Sequence, residues 1–156
     1  MKKSLTLAAL SICAASSVVF ATSDTPQESQ PTLSLSVYDM SGQVPMDLGK
    51  KEISRSMPKQ QLCWTANGEF NKQISIIEIF KSPKKMTFSI PKNLGSVKTS
   101  KDGKTHTIAM TREPLNQGKF VVNCWRFDEK DPVGQYSIQV QLGDIVYDPL
   151  TFNVVK

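Results

Sequence analysis

Residues 131–142 read Asp131-Pro132-Val133-Gly134-Gln135-Tyr136-Ser137-Ile138-Gln139-Val140-Gln141-Leu142. From Tyr136 onward every second residue is apolar, and Ser137, Gln139 and Gln141 stand between. Side chains of a strand alternate between its two faces, so this pattern predicts a β-strand with one face in a core and one in water.

The same alternation recurs along the chain. Leu33, Leu35 and Val37 alternate with Ser34, Ser36 and Tyr38; Met86, Phe88 and Ile90 with Thr87 and Ser89. His106, Ile108 and Met110 alternate with threonines, Phe120, Val122 and Cys124 with Val121 and Asn123, and Phe152 and Val154 follow near the end. In Gln73–Phe80, Ile74 and Ile76 share one face, then Ile77 and Ile79 change phase. That change predicts a bulge in a strand. Phe70, Ile74, Ile77 and Phe80 would also suit a short helix, but four β-branched isoleucines favour the strand. Residues 41–59 show no clear period and read as a long loop, with at most a weak strand or short helix.

Turn chemistry separates the runs. Lys101-Asp102-Gly103-Lys104 predicts a two-residue hairpin of type I′, since Asp-Gly accepts positive φ. Asn116-Gln117-Gly118 and Gly143-Asp144 mark further turns, and Pro83, Pro91, Pro114, Pro132 and Pro149 fall between runs. About seven or eight short strands with little helix predict an all-β fold, an antiparallel β-sandwich. A small closed β-barrel is the alternative, and periodicity does not separate the two.

The segment around Tyr136 resembles the tyrosine corner of immunoglobulin-like sandwiches, in which a loop carrying Asp and Gly leads into a strand through a Tyr. It is also similar to the last hairpin of many bacterial exported immunoglobulin-like domains, through Gly134, Tyr136, Gly143 and Phe152-Asn153-Val154. The resemblance covers the C-terminal ~25 residues and implies a fold and a Tyr136 hydroxyl bonded back to its loop, not an activity. Antibody-type domains place a cysteine two residues after the Tyr; Ile138 stands there, and Cys124 lies one strand earlier.

Ahead of the domain, Lys2 and Lys3 precede an uncharged stretch from Leu5 to Phe20, and Val19-Phe20-Ala21 suits a signal peptidase. Residues 1–21 therefore read as a cleavable signal peptide, too short in its apolar run for a membrane span. Cys13 follows Leu10-Ser11-Ile12, a partial lipobox in which bulky Ile12 stands where a small residue is required, so a lipoprotein is the weaker reading. Residues 22–32 are polar, contain two prolines and read as a flexible lead-in; residues 33–156 form a single domain. The expected location is the bacterial periplasm or the outside of the cell.

Cleavage would remove two lysines from a chain of net charge +5, leaving +3. That mild excess, without a basic run interleaved with aromatics, points away from nucleic acid. Cys63 and Cys124 are then the only cysteines, and in an oxidising compartment they pair with each other most simply. Closing a loop of ~60 residues contributes up to about 4 kcal/mol by chain entropy. A redox or metal role would want closer CxxC spacing.

Each of these cysteines is followed by Trp, and neighbours on a strand face opposite ways. Phe120 and Val122 share the face of Cys124, which predicts a core-facing cysteine and an exposed Trp125. Around Cys63 the pattern disagrees, because Leu62 and Ala66 share the face of Trp64. Trp64 and Trp125 are the candidate binding surface, with burial under a loop or the lead-in as the alternative.

No catalytic motif is present, and His106 is the only histidine. Asp128, Glu129 and Asp131, or Asp144 and Asp148, offer carboxylates for hydrolysis, and the Asp128–Asp131 cluster for calcium, but they lie in predicted turns and lack a regular ligand spacing. His106 and Met110 are soft copper(I) ligands on one face, but ~13 Å apart along a strand. Met40, Met46, Met57 and Met86 are the other methionines left after cleavage. The expectation is a non-enzymatic exported binding or protein-interaction domain, without cofactor, acting on another envelope or secreted protein. The alternatives are an inhibitor or immunity-type protein against an exported enzyme, a small carboxylate-dependent hydrolase, and a pilus or surface subunit.

Overall fold

The structure is a computed structural model that describes residues 30–156. The expected signal peptide, Cys13 and nearly all of the lead-in lie outside the described residues. Eleven strands follow in order: β1 Thr32–Asp39, β2 Met46–Asp47, β3 Glu52–Ser54, β4 Gln60–Asn67, β5 Ile74–Lys81, β6 Gly95–Thr99, β7 Thr105–Arg112, β8 Phe120–Trp125, β9 Gly134–Leu142, β10 Ile145–Val146 and β11 Leu150–Val155. One sheet has the order β2-β1-β4-β8; the other runs β3-β11-β9-β5-β7-β6, with β10 on β9. The two sheets form a β-sandwich, and neither closes into a barrel. One pair is parallel, β3 on β11, placed there by the loop of residues 41–59, which contributes two short strands.

Alternation builds the core as expected. Leu35 and Val37 of β1, Leu62, Trp64 and Ala66 of β4, and Val121 of β8 are buried from one sheet. Ile74, Ile76 and Phe80 of β5, Ile108 and Met110 of β7, Tyr136, Ile138, Val140 and Leu142 of β9, and Phe152 and Val154 of β11 are buried from the other. The Tyr136 hydroxyl donates to the Pro132 carbonyl oxygen at 2.7 Å, tying the strand to its entry loop as the resemblance implied.

Five local features differ from the expectations or add to them. First, β5 has no bulge: Ile74, Ile76, Glu78 and Phe80 all face inward, and Ile77 and Ile79 face outward. Glu78 occupies a core position, which disguises the register. Second, on β8 the inward residues are Val121 and Asn123, with Trp125 in the same register, so Phe120, Val122 and Cys124 face outward.

Third, Met86, Phe88 and Ile90 do alternate inward, half-buried, but residues 83–90 pair with no strand. They form an extended strap. Fourth, the strand that does pair on β7 is β6, Gly95–Thr99, whose exposed Ser96 and Lys98 and single large apolar Val97 give little signal. Fifth, Asp102-Gly103 is not a type I′ turn, because only Gly103 of that pair has positive φ, 71°. The pair of positive-φ residues falls instead at Asn116 (50°) and Gln117 (57°), in the tight turn that leads into β8.

The strap has a physical reason. β8 reaches β5 through Asn123–Glu78 and β7 through Asn123–Arg112. The wider sheet extends past it to β6, so part of the inner face has no strand of the narrower sheet opposite. The strap fills that place: the Phe88 ring lies 4.7 Å from Phe80, 4.9 Å from His106 and 5.2 Å from Trp125, centroid to centroid.

Candidate functional site

The disulfide between Cys63 and Cys124 is formed. The two residues are direct partners in the β4–β8 ladder, 4.1 Å apart at Cα. The bond therefore joins neighbouring strands of one sheet rather than the two sheets. It lies on the outer face, so the following residue of each strand points inward. Trp64 sits opposite Asn123, and Trp125 opposite Leu62.

Both indoles and Asn123 converge on Glu78, which comes from the facing sheet and has 0% exposure. Trp64 Nε1 donates to Glu78 Oε1, as does Asn123 Nδ2 at 2.8 Å. Trp125 Nε1 donates to Glu78 Oε2 at 2.9 Å. Arg112 donates through Nη2 to Asn123 Oδ1 at 3.2 Å, completing a relay from guanidinium to amide to carboxyl. Burial pushes the Glu78 carboxyl up to about 7, while the three donors and the nearby Arg112 pull it down. A buried carboxyl without such donors would cost several kcal/mol, at roughly the scale of an uncompensated ion in a protein interior.

The expected Trp surface is thus corrected in part. Trp64 is fully buried at 0% exposure, and Trp125 is half-buried with its rim under Phe88. Indole N–H groups need acceptors when buried, and the core supplies one carboxylate for both.

His106 is buried against Phe88, its Nδ1 3.0 Å from the Thr99 hydroxyl and its Nε2 without a hydrogen-bond partner among the described residues. Burial lowers its pKa, which favours the neutral ring. Met110 lies four residues along the same inward face. The acidic cluster serves its own loop. Asp131 Oδ2 accepts the Asp128 N–H at 2.8 Å, and Asp128 Oδ1 accepts the Lys130 N–H at 2.8 Å. Arg55 donates from Nη1 to the carbonyls of Glu129 and Asp131 at 2.9 and 2.6 Å. Burial raises the Asp131 pKa, opposed by the hydrogen bond from Asp128. Among the described residues no three His, Cys, Asp or Glu side chains gather as metal ligands, and no helix is long and apolar enough to cross a membrane.

What remains open lies beside this cluster. Among the described residues β8 has one neighbour, β4, and ends its sheet. The Phe120 N–H and carbonyl bond to Leu115 at 3.2 and 2.6 Å, on the side away from β4. Backbone groups of a strand alternate in direction, so those of Val122 and Cys124 point to the same free edge. Between that edge and the strap lies a cavity of 110 Å³, walled by Ile90, Leu94, Met110 and Arg112 and by Asn123, Cys124 and Trp125 of β8. A larger hollow of 770 Å³ opens at an end of the sandwich, but its walls are loops of mixed charge, including Glu69, Lys119 and Asp144, and Gln30–Pro31, where the preceding chain joins.

Comparison with known proteins gives a family and a relative. A family model described as the PM0630 beta sandwich domain matches residues 33–155. A protein of Pasteurella multocida (strain Pm70), named as the uncharacterized protein PM0630, is 28% identical over 131 residues, which is 83% of this chain and 81% of the relative.

Proposed function

The chain belongs to the PM0630 beta sandwich domain family, and from that premise we propose that it is a non-enzymatic, exported binding domain that engages another envelope or secreted protein. The observation that carries this reading is the free edge of β8, where among the described residues no strand lies beside Val122 and Cys124. Strand edges are ready templates for an incoming chain, and most proteins cover or blunt them. The Glu78 carboxyl is consumed by the fold itself, since each of its oxygens is occupied by donors of this chain.

Export is supported by the disulfide, a bond that persists in oxidising compartments. The Tyr136–Pro132 hydrogen bond supports an immunoglobulin-like character, and sandwiches of that kind offer rigid edges and loops for recognition.

The test is affinity capture with residues 22–156, disulfide oxidised, immobilised and exposed to envelope extract of the source cell. One protein retained at fixed stoichiometry, and co-eluting with the chain as a purified complex, is the expected result. No such complex, or hydrolytic turnover lost on changing Asp128 or Asp131, would overturn it.

A further inference from the structure

We propose that the partner of this domain adds an extended segment to the free edge of β8, with one apolar side chain in the cavity beside Trp125 and an acidic side chain two positions away facing Arg112. This rests on the binding reading above and names the surface and the chemistry of its partner.

Three observations converge on the edge. Val122 and Cys124 offer outward backbone donors and acceptors, beginning where the Leu115 pairing ends. On the far side of the cavity runs the strap, which covers the core through Met86, Phe88 and Ile90 but forms no ladder with β8. The cavity of 110 Å³ has a mixed wall, Ile90, Leu94, Met110 and Trp125 on its apolar side and Arg112 and Asn123 on its polar side, and is of a size that suits one aliphatic group, being somewhat smaller than a cavity of ~150 Å³ that accepts benzene.

Charge sets the partner's chemistry. Arg112 is the charged residue at this cavity, and Lys92 is the charged residue of the adjoining groove around Leu94, with no Asp or Glu in either wall. A second copy of this chain pairing antiparallel through β8 would bring Lys119 near Arg126 at both ends. Like charges there disfavour self-association and favour an acidic partner.

In an added strand, residues opposite Asn123 and Trp125 face inward and are two apart, whereas the residues opposite Val122 and Cys124 face outward. The pattern recognised is therefore apolar–any–acidic, in either direction. Main-chain bonds to the edge give affinity, and the two inward side chains give selectivity.

The experiment is an NMR titration of the oxidised chain with the blocked hexapeptide Thr-Val-Leu-Thr-Glu-Thr to millimolar concentration. The expected result is movement of the Val122 and Cys124 amide signals and of the Trp125 indole signal, weakened at least tenfold when Lys replaces the peptide's Glu. Val122→Pro, at an edge position whose N–H is outside the β4 ladder, should abolish the response. Leu94→Glu, at a residue 40% exposed, should do the same for the acidic peptide while leaving the fold intact. Shifts confined to other surfaces, or none at saturation of solubility, would overturn the proposal. A captured protein partner retained equally by both variants would overturn the edge while sparing the binding reading; only failure of the unaltered chain to capture any partner would remove that reading.

Discussion

Cys63 faces Cys124 directly across β4 and β8, and the bond between them fixes the register that brings Trp64 and Trp125 to the two oxygens of Glu78. The sulfurs lie on the outer face and the indoles on the inner one. Each Cys-Trp dipeptide thus joins a covalent lock to a hydrogen-bond donor, and the lock and the donors act on opposite sides of one sheet.

The first prediction concerns that lock. The double variant Cys63→Ser, Cys124→Ser should be less stable by up to about 4 kcal/mol, the chain-entropy value for a loop closed over 61 positions. Urea denaturation of the oxidised chain and the variant measures the difference. Because the ladder already holds the two positions together, the variant should remain folded in buffer, with the same indole environment. A shift of less than about 1 kcal/mol would show that the ladder alone sets the register.

Removing the acceptor should cost more than removing the lock's covalency in proportion to its size. Glu78→Ala leaves two indole N–H groups and the Asn123 amide unpaired in the core and opens a cavity, so a loss of about 3–5 kcal/mol is expected. Glu78→Gln keeps one accepting oxygen but turns an NH₂ toward a donor, with an expected loss of about 1–3 kcal/mol. Thermal and urea unfolding monitored by near-UV circular dichroism would order the three proteins; a Gln variant worse than the Ala variant would contradict the role assigned to the carboxyl.

Glu78 also makes stability depend on pH. Burial pushes its carboxyl up to about 7 in the fold, from 4.5 in the unfolded chain. Below about pH 4.5 both states hold the proton and the contribution is complete. Between 4.5 and 7 the unfolded chain gives the proton up first, so stability falls as pH rises, by about 3 kcal/mol in total, and levels off above 7. His106 acts in the opposite sense, since its lowered pKa makes the unfolded chain the better proton binder below about 6.5. Asp131, raised by burial, acts in the same sense as Glu78. The difference between wild type and Glu78→Gln across pH 4–8 isolates the carboxyl, and a flat difference would refute the shift.

The alternation at Tyr136–Leu142 and its recurrences carried the sandwich into view, because a half-buried strand writes its two faces into sequence. The pairing of Cys63 with Cys124 was legible because they are the two cysteines outside the expected signal peptide. Glu78 was not. A carboxylate at a core position is rare, so Ile76-Ile77 read as a change of phase when the inward register ran unbroken through Ile74, Ile76, Glu78 and Phe80. The available signal was a pair of tryptophans in a small domain, whose indole N–H groups must find acceptors once buried. On β8 both faces carry apolar residues, Phe120, Val122 and Cys124 against Val121 and Trp125, so periodicity had little power to choose between them. The strap was missed for a different reason: Met86, Phe88 and Ile90 alternate like a strand because they cover a face, and covering a face does not require a ladder.

The two tryptophans should be separable by their access to solvent. Trp64 is fully buried between the sheets, whereas Trp125 stands at the edge strand with part of its ring open beside Leu94 and Ile90. Quenching of the oxidised chain by iodide should therefore leave a curved plot, one component responding and one silent. Trp125→Phe should remove the responding component and keep the silent one. The variant costs one indole hydrogen bond to Glu78 Oε2, so a loss of about 1–3 kcal/mol accompanies it and the fold persists. If a strand adds to β8, its inward apolar side chain covers the open part of Trp125, and a bound peptide should then protect the responding component while leaving Trp64 unchanged. Equal quenching of both indoles in the free chain would contradict the burial of Trp64 and, with it, the convergence of both donors on Glu78.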